Sequence, residues 1–154
     1  MSLMPSQHCA DTIKGFETCR LKAFLPTPND VPTIGWGTAG PDIHLGMVWT
    51  QRQCDSRFFG DLMRFGTSVA GMVSSVTNQN QFDALVSFAY NEGAHALHES
   101  NLLVLHNAGK YPLAAEQFKL WVFQRGVKLN GLVSRRAKEA QLYLTPVIQK
   151  GEAA

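Results

Sequence analysis

The stretch "ETCRLKAFLPTPNDVPTIGWG", residues 17–37, separates two parts of the chain that follow different patterns. The residues up to Phe16 predict a short first helix that ends at this stretch. Within it, "LKAFL" and "VPTIGWG" are short β-prone pieces separated by proline, asparagine and aspartate, and "HLGMVW" at 44–49 is a third such piece. We therefore predict a small antiparallel sheet over about residues 18–49.

Helical signals dominate after this sheet. Thr50 and Gln53 form a capping-box pattern, which predicts the start of the first of about five further helices. The other four are predicted in "NQNQFDALVSFAYNEG", "SNLLVLHNAG", "YPLAAEQFKLWVF" and "GLVSRRAKEAQLYLTP". The pattern predicts an α+β protein that forms a single domain over 1–154. Its small N-terminal sheet lobe is followed by a larger helical lobe at about 50–146, which also includes the first helix.

The overall composition excludes several classes of protein. The chain has 154 residues, of which 45% are hydrophobic and 17% are charged, so it is long enough for one globular domain with its own core. No apolar run reaches the roughly 18 residues that span a bilayer, and residues 1–14 lack the apolar core of a signal peptide. Cys9, Cys19 and Cys54 follow no CxxC pattern, which argues against a disulfide framework and a zinc knuckle.

Charge is distributed unevenly along the chain. Residues 119–154 carry seven lysines and arginines against two acids, whereas residues 1–118 carry seven against ten. A basic end of this kind suggests an anionic polymer as a partner, such as cell wall, a membrane surface or nucleic acid. A solvated helix face fits the same charges equally well.

Glu17 is the residue of the opening stretch with the clearest chemical role. It lies where the first helix should end, and the negative end of the helix dipole favours a protonated carboxyl there. Phe16 and Cys19 would favour the same form by excluding water, whereas Arg20 would oppose it. A protonated glutamate can act as a general acid, and the three prolines that follow would stiffen a loop beside it. An ordinary exposed carboxylate at a helix end fits the same pattern.

Two other hydrolytic sites are less well supported by the residue pattern. A cysteine peptidase would need Cys19 or Cys54 at the start of a helix and a histidine such as His44 on a facing strand. A zinc amidase would use His95, His98 and His106, but these show no HExxH motif and no obvious acidic base. We therefore expect neither a metal nor another cofactor.

The segment 13–40 resembles the signature of the phage-type lysozymes, glycoside hydrolase family 24, which includes the endolysins of tailed phages. That signature runs roughly I-K-x-F-E-G-x-R-L-x-A-Y and continues, after a spacer, with T-I-G-Y-G-H. Two later blocks, "NQNQFDALVSFAYNEG" and "GLVSRRAKEAQLYL", are similar to helices of the same family, so the resemblance extends over 13–144. The chain matches the signature at Ile13, Lys14, Phe16, Glu17, Arg20, Leu21, Ala23, Thr33, Ile34, Gly35 and Gly37.

The resemblance implies a lysozyme-like fold with a cleft between the two lobes. It also implies hydrolysis of the β-1,4 bond between N-acetylmuramic acid and N-acetylglucosamine in peptidoglycan, which leads to lysis of the host cell. Glu17 occupies the position of the family's catalytic glutamate, Thr33 that of its catalytic threonine, and Arg136 that of an arginine brought toward the glutamate. Glu17 would protonate the leaving oxygen while a water held by Thr33 attacks the opposite sugar face, which is the inverting arrangement. Trp36, next to the site strand, is a candidate for lining the cleft.

Three departures from the family pattern affect these expectations. Thr18 replaces a common glycine, and Thr38 stands where the family has a histidine that forms a structural ion pair. The family's catalytic aspartate falls at Thr27 by count, whereas Asp30 lies three residues further along the same loop. Of the two, we expect Asp30 to matter more, because a carboxylate can accept a proton and a threonine hydroxyl only orients a water. A wall-binding module with weak or no catalysis is the alternative.

The resemblance also carries expectations about partners and location. The partner would be bacterial peptidoglycan, with no nucleic acid and no stable insertion into a membrane, and the protein would act as a monomer. Because we find no leader sequence, we expect the chain to accumulate in the host cytoplasm and to need a phage holin to reach the periplasmic wall.

Overall fold

A computed structural model describes residues 3–148. These residues form seven helices and five short strands, which confirms the predicted α+β class. The helices are α1 (Gln7–Phe16), α2 (Gln51–Met72), α3 (Gln79–Glu92), α4 (Ala94–His98), α5 (Asn101–Asn107), α6 (Tyr111–Phe118) and α7 (Asn130–Leu144). The strands are β1 (Arg20–Phe24), β2 (Thr33–Gly35), β3 (Thr38–Ala39), β4 (Phe123–Gln124) and β5 (Val127–Lys128).

The first helix delivers the chain to the sheet at Glu17. Ser6 caps the start of α1 by accepting a hydrogen bond from the Cys9 backbone N–H at 3.1 Å. Glu17 is the C-terminal cap, and its dihedral angles of −97° and 141° are already extended. The end of α1 and the start of the sheet therefore meet within about three residues of Glu17, as the sequence predicted.

The sheet is antiparallel with the order β1-β2-β3. Phe24 pairs with Thr33, and Thr33 pairs with Ala39 on the other side. The predicted third piece at 44–49 is not a strand; it makes a single antiparallel bridge, between Lys22 and Val48. The third strand instead follows the turn at Gly37, where a φ of +86° favours glycine and reverses the chain.

A buried polar contact ties this sheet to the long helix α2. The capping box at Thr50 and Gln53 is present, which confirms the predicted start of α2. From β3, the buried Thr38 donates a hydrogen bond to Asp61 of α2 at 2.8 Å. Arg57 also donates to the Asp61 carboxylate, at 3.1 Å. Thr38, which replaces the histidine of the family pattern, is thus held to α2 by a hydrogen bond to Asp61.

Two elements of the helical lobe differ from the prediction. The short helix α4 was not predicted, so six helices rather than five follow the sheet in the described chain. The predicted helix over "YPLAAEQFKLWVF" ends at Phe118, and the chain continues into the hairpin β4–β5. The turn of this hairpin has positive φ at both Arg125 (51°) and Gly126 (79°), which is the geometry of a two-residue type I′ turn.

The core lies around α3, which packs against α1, α2 and α7. Nine consecutive residues of α3, from Gln81 to Ala89, are buried. Burial on nearly all sides explains why this helix is apolar around most of its circumference. Within residues 3–148, no helix combines the length and the apolar character needed to cross a membrane. Lys150 and Glu152, counted above in the basic end, lie outside the described residues.

Candidate active site

Glu17 forms an ion pair with Arg135 of α7. Arg135 Nη1 donates to Glu17 Oε1 at 3.1 Å. The arginine side chain is only 5% exposed, whereas the glutamate side chain keeps 25% of its surface in contact with solvent. The carboxylate is therefore anchored on one oxygen and still accessible to a ligand.

Gly37 allows the carboxylate to lie against the sheet. A Cβ atom added to Gly37 would lie 3.0 Å from both Cδ and Oε2 of Glu17. Real Cβ atoms rarely come so close to other heavy atoms, so a side chain here would push the carboxylate away. The turn between β2 and β3 thus forms one wall of the site, and the backbone of Gly37 rather than a side chain lies against Glu17 there.

Each of the three guanidinium nitrogens of Arg135 donates a hydrogen bond. Its Nη2 donates to the Ser87 carbonyl at 3.2 Å, and its Nε donates to Glu139 Oε2 at 3.4 Å. The guanidinium also stacks over the Phe16 ring, with 4.6 Å between its central carbon and the ring centroid. These contacts come from α1, α3 and α7, and in the orientation that they hold, Nη1 points toward Glu17.

The expectation that Arg136 reaches Glu17 is wrong. Arg136 is fully buried and donates from Nε to the Trp121 carbonyl at 2.9 Å and from Nη2 to Glu92 at 2.8 Å. It also pairs with Glu139. Neighbouring residues of an α-helix point about 100° apart, so only one of two consecutive arginines can face the end of α1. The sequence pattern identified the arginine pair correctly but chose the wrong member.

A cleft of about 350 Å³ opens beside Glu17. It is lined by the end of α1, the end of α3 and the first half of α7, through Phe16, Glu17, Asn91, Leu129, Gly131, Leu132 and Arg135. Trp36 is not among these residues. Its ring nitrogen donates instead to Asp55 of α2 at 2.8 Å, and its ring lies beneath Lys14, whose Nζ is 5.0 Å from the ring centroid.

The two candidates for the second catalytic group are hydrogen-bonded to each other. Thr27 Oγ1 donates to Asp30 Oδ2 at 3.1 Å, and the Asp30 backbone N–H donates to the Thr27 carbonyl at 3.0 Å, which closes a turn. Gln124 of the hairpin β4–β5 lies 3.4 Å from the same Asp30 oxygen. Arg125 of this hairpin donates to the Asn29 carbonyl. The proline-rich loop therefore contacts the hairpin β4–β5, which lies between two helices of the helical lobe in the sequence.

Thr33 lies at the start of β2, next to this loop. Its hydroxyl donates to the Val31 carbonyl at 3.1 Å, and it is half-buried. No direct hydrogen bond joins Thr33, Thr27 or Asp30 to Glu17 in the described residues. The structure thus brings Arg135 to Glu17, whereas Thr27 and Asp30 bind each other and Thr33 binds Val31.

The residues of the competing site types do not form a site. His106 is fully buried between Tyr143, at 2.6 Å, and Thr77, at 2.7 Å, and burial lowers its pKa to about 4. Cys54 is buried and lies within α2. Burial, and next the neighbouring Cys19 thiol, raises the pKa of Cys54 to about 11, whereas a reactive cysteine has a lowered pKa. Among residues 3–148, no group of three or more potential ligands could hold a metal ion.

Comparison with known proteins identifies the family. Residues 14–139 match the family model described as phage lysozyme. The chain belongs to the phage lysozyme family. An endolysin of Bacillus phage B103 is 40% identical over 141 residues, which are 91% of this chain and 54% of that protein. The chain thus spans about half the length of the first curated relatives that it matches.

Solved structures of the phage lysozyme type share the fold over almost the whole chain. An endolysin from Escherichia coli O157:H7 phage FAHEc1 superposes with a TM-score of 0.83 at 36% identity and covers 97% of this chain and 99% of that one. The muramidase domain of SpmX from Asticaccaulis excentricus superposes with a TM-score of 0.84 at 33% identity, covering 94% and 99% of the two chains. The lysozyme-like fold expected from the sequence is therefore confirmed.

Three residues of the site were missed by sequence reasoning. Arg135, Glu139 and Ser87 come from α7 and α3, more than 65 positions away from Glu17 in the chain. The spacing of Arg135 and Glu139, four residues apart, does place them on one helix face. Since both lie within a strongly charged segment, this spacing is equally typical of a solvated surface pair, and only the fold shows that they are buried.

Proposed function

We propose that the chain is a muramidase that hydrolyses the β-1,4 bond between N-acetylmuramic acid and N-acetylglucosamine in bacterial peptidoglycan. The observation that carries this proposal is the Glu17 carboxylate, anchored by a buried arginine and open to a cleft. Membership of the phage lysozyme family supports it, as does the likeness to a protein whose solved structure is named as a muramidase domain.

Glu17 acts in this proposal as the general acid. The hydrogen bond from Arg135 occupies Oε1, so Oε2 carries the proton that passes to the leaving glycosidic oxygen. Gly37 keeps the space above the carboxyl free of a side chain, and the fixed guanidinium holds the carboxyl in one orientation. Such positioning of an acid within about 3 Å of the reacting oxygen is what general acid catalysis requires.

The loop candidates supply the second half of the reaction in the proposal. Asp30 accepts a proton from the attacking water, and the hydroxyls of Thr33 and Thr27 orient that water. Attack on the face opposite to Glu17 inverts the anomeric carbon, which needs carboxyl groups far enough apart to admit a water. The placement of Asp30 on a loop outside the immediate contacts of Glu17 is compatible with this separation. No metal or cofactor takes part.

Digestion of purified peptidoglycan tests the proposal. A muramidase releases new reducing ends from the glycan without releasing free amino groups, and a chelator leaves its rate unchanged. Product analysis by NMR immediately after cleavage should show the inverted anomer at the new reducing end. Release of amino groups would instead indicate a peptidase or amidase, and binding to the wall without any cleavage would indicate an inert wall-binding module; either result rejects the proposal.

We also propose that the enzyme reaches its substrate only after release from the cytoplasm. The endolysin relatives support action on the wall, and a phage holin is the component we expect to release the enzyme as a monomer. Cells that express the chain alone should remain intact until their membrane is permeabilised and should then lyse. Lysis without permeabilisation would contradict dependence on a holin, and elution as a dimer would contradict the monomer.

A further inference from the structure

We propose that Glu139 is a positioning residue for the acid Glu17, through the arginine that the two carboxylates share. It competes with Glu17 for Arg135 and so keeps the guanidinium from holding Glu17 in its ionised form. The inference rests on the proposed function, in which Glu17 must carry a proton.

The geometry of Glu139 shows this sharing directly. Its Oε2 accepts from Arg135 Nε at 3.4 Å and from the Ser87 hydroxyl at 2.5 Å, and its Oε1 accepts from Arg136. The side chain is completely buried. Three donors thus converge on this one buried carboxylate, which no longer leaves Arg135 to Glu17 alone. Arg135 faces the Glu139 carboxylate at one edge and Glu17 at another.

The charge balance of the cluster depends on Glu17. Arg135 and Arg136 together match Glu139 and Glu92, which are linked to them by ion pairs. These four groups are neutral as a set, so an ionised Glu17 gives the cluster an excess negative charge. Protonation of Glu17 restores neutrality, and an unbalanced charge is costly beside the fully buried Arg136 and Glu139.

The other groups that face this cluster do not offset that excess. Burial raises the pKa of the Tyr90 hydroxyl and of the Cys9 thiol, so both are neutral at the pH of interest. Lys14 of α1 lies over the Trp36 ring, and its Nζ is 4.0 Å from Asp55 of α2, so its charge is directed toward α2. Lys138 of α7 has its Nζ 5.6 Å from the centroid of the Phe16 ring, but the residue is exposed, so solvent screens its charge.

A merely structural role for Glu139 makes a different prediction. Buried ion pairs often add little to stability beyond their own desolvation cost, and loss of one partner leaves the other charge unpaired. If Glu139 served only to fill and neutralise the core, its replacement would lower stability without moving the pH dependence of the reaction. If it withholds Arg135 from Glu17, the pH dependence itself must move.

The test compares rate–pH profiles on purified peptidoglycan. In Glu139→Gln, the amide keeps the shape and can still accept from Ser87, but Arg135 is left to pair with Glu17 alone. We expect the fall in kcat on the alkaline side to begin about one pH unit lower, which is about a tenfold lower rate above that point, with KM unchanged. Glu92→Gln is the matched control, because it removes one negative charge at the Arg136 end of the same cluster without touching Arg135, and it should shift the profile clearly less than Glu139→Gln does.

Three results would overturn the inference. A folded Glu139→Gln protein with an unshifted profile is the first, and an equal shift in Glu92→Gln is the second. If Glu139→Gln does not fold, Ser87→Ala is measured instead. Without the serine hydroxyl, Glu139 binds Arg135 more strongly, so the alkaline fall in kcat should move to higher pH. An unmoved profile in Ser87→Ala is the third result that would overturn the inference.

A readout without catalysis separates this inference from the proposed function. NMR of the full chain with labelled glutamate follows the Glu17 carboxyl as the pH is changed. Its titration should occur at lower pH in Glu139→Gln than in the parent, whether or not the parent cleaves peptidoglycan. An inactive parent with this difference rejects only the muramidase proposal, and an active parent without it rejects only the role of Glu139.

Discussion

Substitution of Gly37 by alanine tests the geometry of the site in two separable ways. The backbone φ of +86° costs an alanine about 1–2 kcal/mol relative to glycine. In addition, the new Cβ would lie 3.0 Å from Cδ and Oε2 of Glu17, so the carboxyl must move by several tenths of an ångström to reach an ordinary contact. We expect Gly37→Ala to lower the melting temperature by about 3–8 °C and to lower kcat by about 10–100-fold, because small misplacements of a catalytic group are expensive.

Gly46→Ala is the matched control for this experiment. Gly46 also has a positive φ, of +97°, but a Cβ there meets no atom within 4 Å. It should therefore lose similar stability and keep parental activity against peptidoglycan. The two melting temperatures are measured by calorimetry and the rates by release of reducing ends. Equal activity of the two variants would refute the assignment of Gly37 as the wall against which Glu17 is placed.

Two further predictions concern His106 and the proline-rich loop. Burial lowers the folded-state pKa of His106 to about 4 from an unfolded value near 6.5, so the unfolded chain binds the proton first as pH falls; stability that is complete above about pH 6.5 should decline by roughly 3 kcal/mol toward pH 4. Denaturant titrations between pH 7 and 4 measure this, and a decline of the same size in His106→Gln would assign it to other groups. In the loop, Asp30→Asn should lower the rate by about 10²-fold or more and Thr27→Val by less, on one peptidoglycan substrate. Near-native activity of Asp30→Asn together with a tenfold loss in Thr27→Val would show that the site works through threonines.

The parts of the fold that local patterns determine were predicted well. The capping box at Thr50 and Gln53 specifies a helix start through two side-chain hydrogen bonds, and both are present. The end of the first helix at Glu17 follows from the β-prone residues after it. By contrast, the hairpin at Arg125 and Gly126 lacks the Asn-Gly or Asp-Gly pair that would indicate such a turn. The start of this hairpin was therefore included in a predicted helix, because its residues are apolar.

The site was predictable only where one local segment carries it. Glu17 and Gly37 lie within a single motif, and the structure places them in contact. The choice between Arg135 and Arg136 depends on the rotation of α7 relative to α1, which involves more than 100 intervening residues and leaves no local signal. The contact of Asp30 with Gln124 likewise depends on how the sheet and the hairpin approach each other.

The activity of Glu17→Gln on purified peptidoglycan tests the central claim most directly. Glutamine preserves the size of the side chain and can still accept the hydrogen bond from Arg135, but it cannot donate a proton to the leaving oxygen. We expect the rate to fall by at least about 10²–10⁴-fold, with a melting temperature within a few degrees of the parent because the side chain is partly exposed. A folded Glu17→Gln protein that releases reducing ends at more than about one tenth of the parental rate would contradict the assignment of Glu17 as the acid.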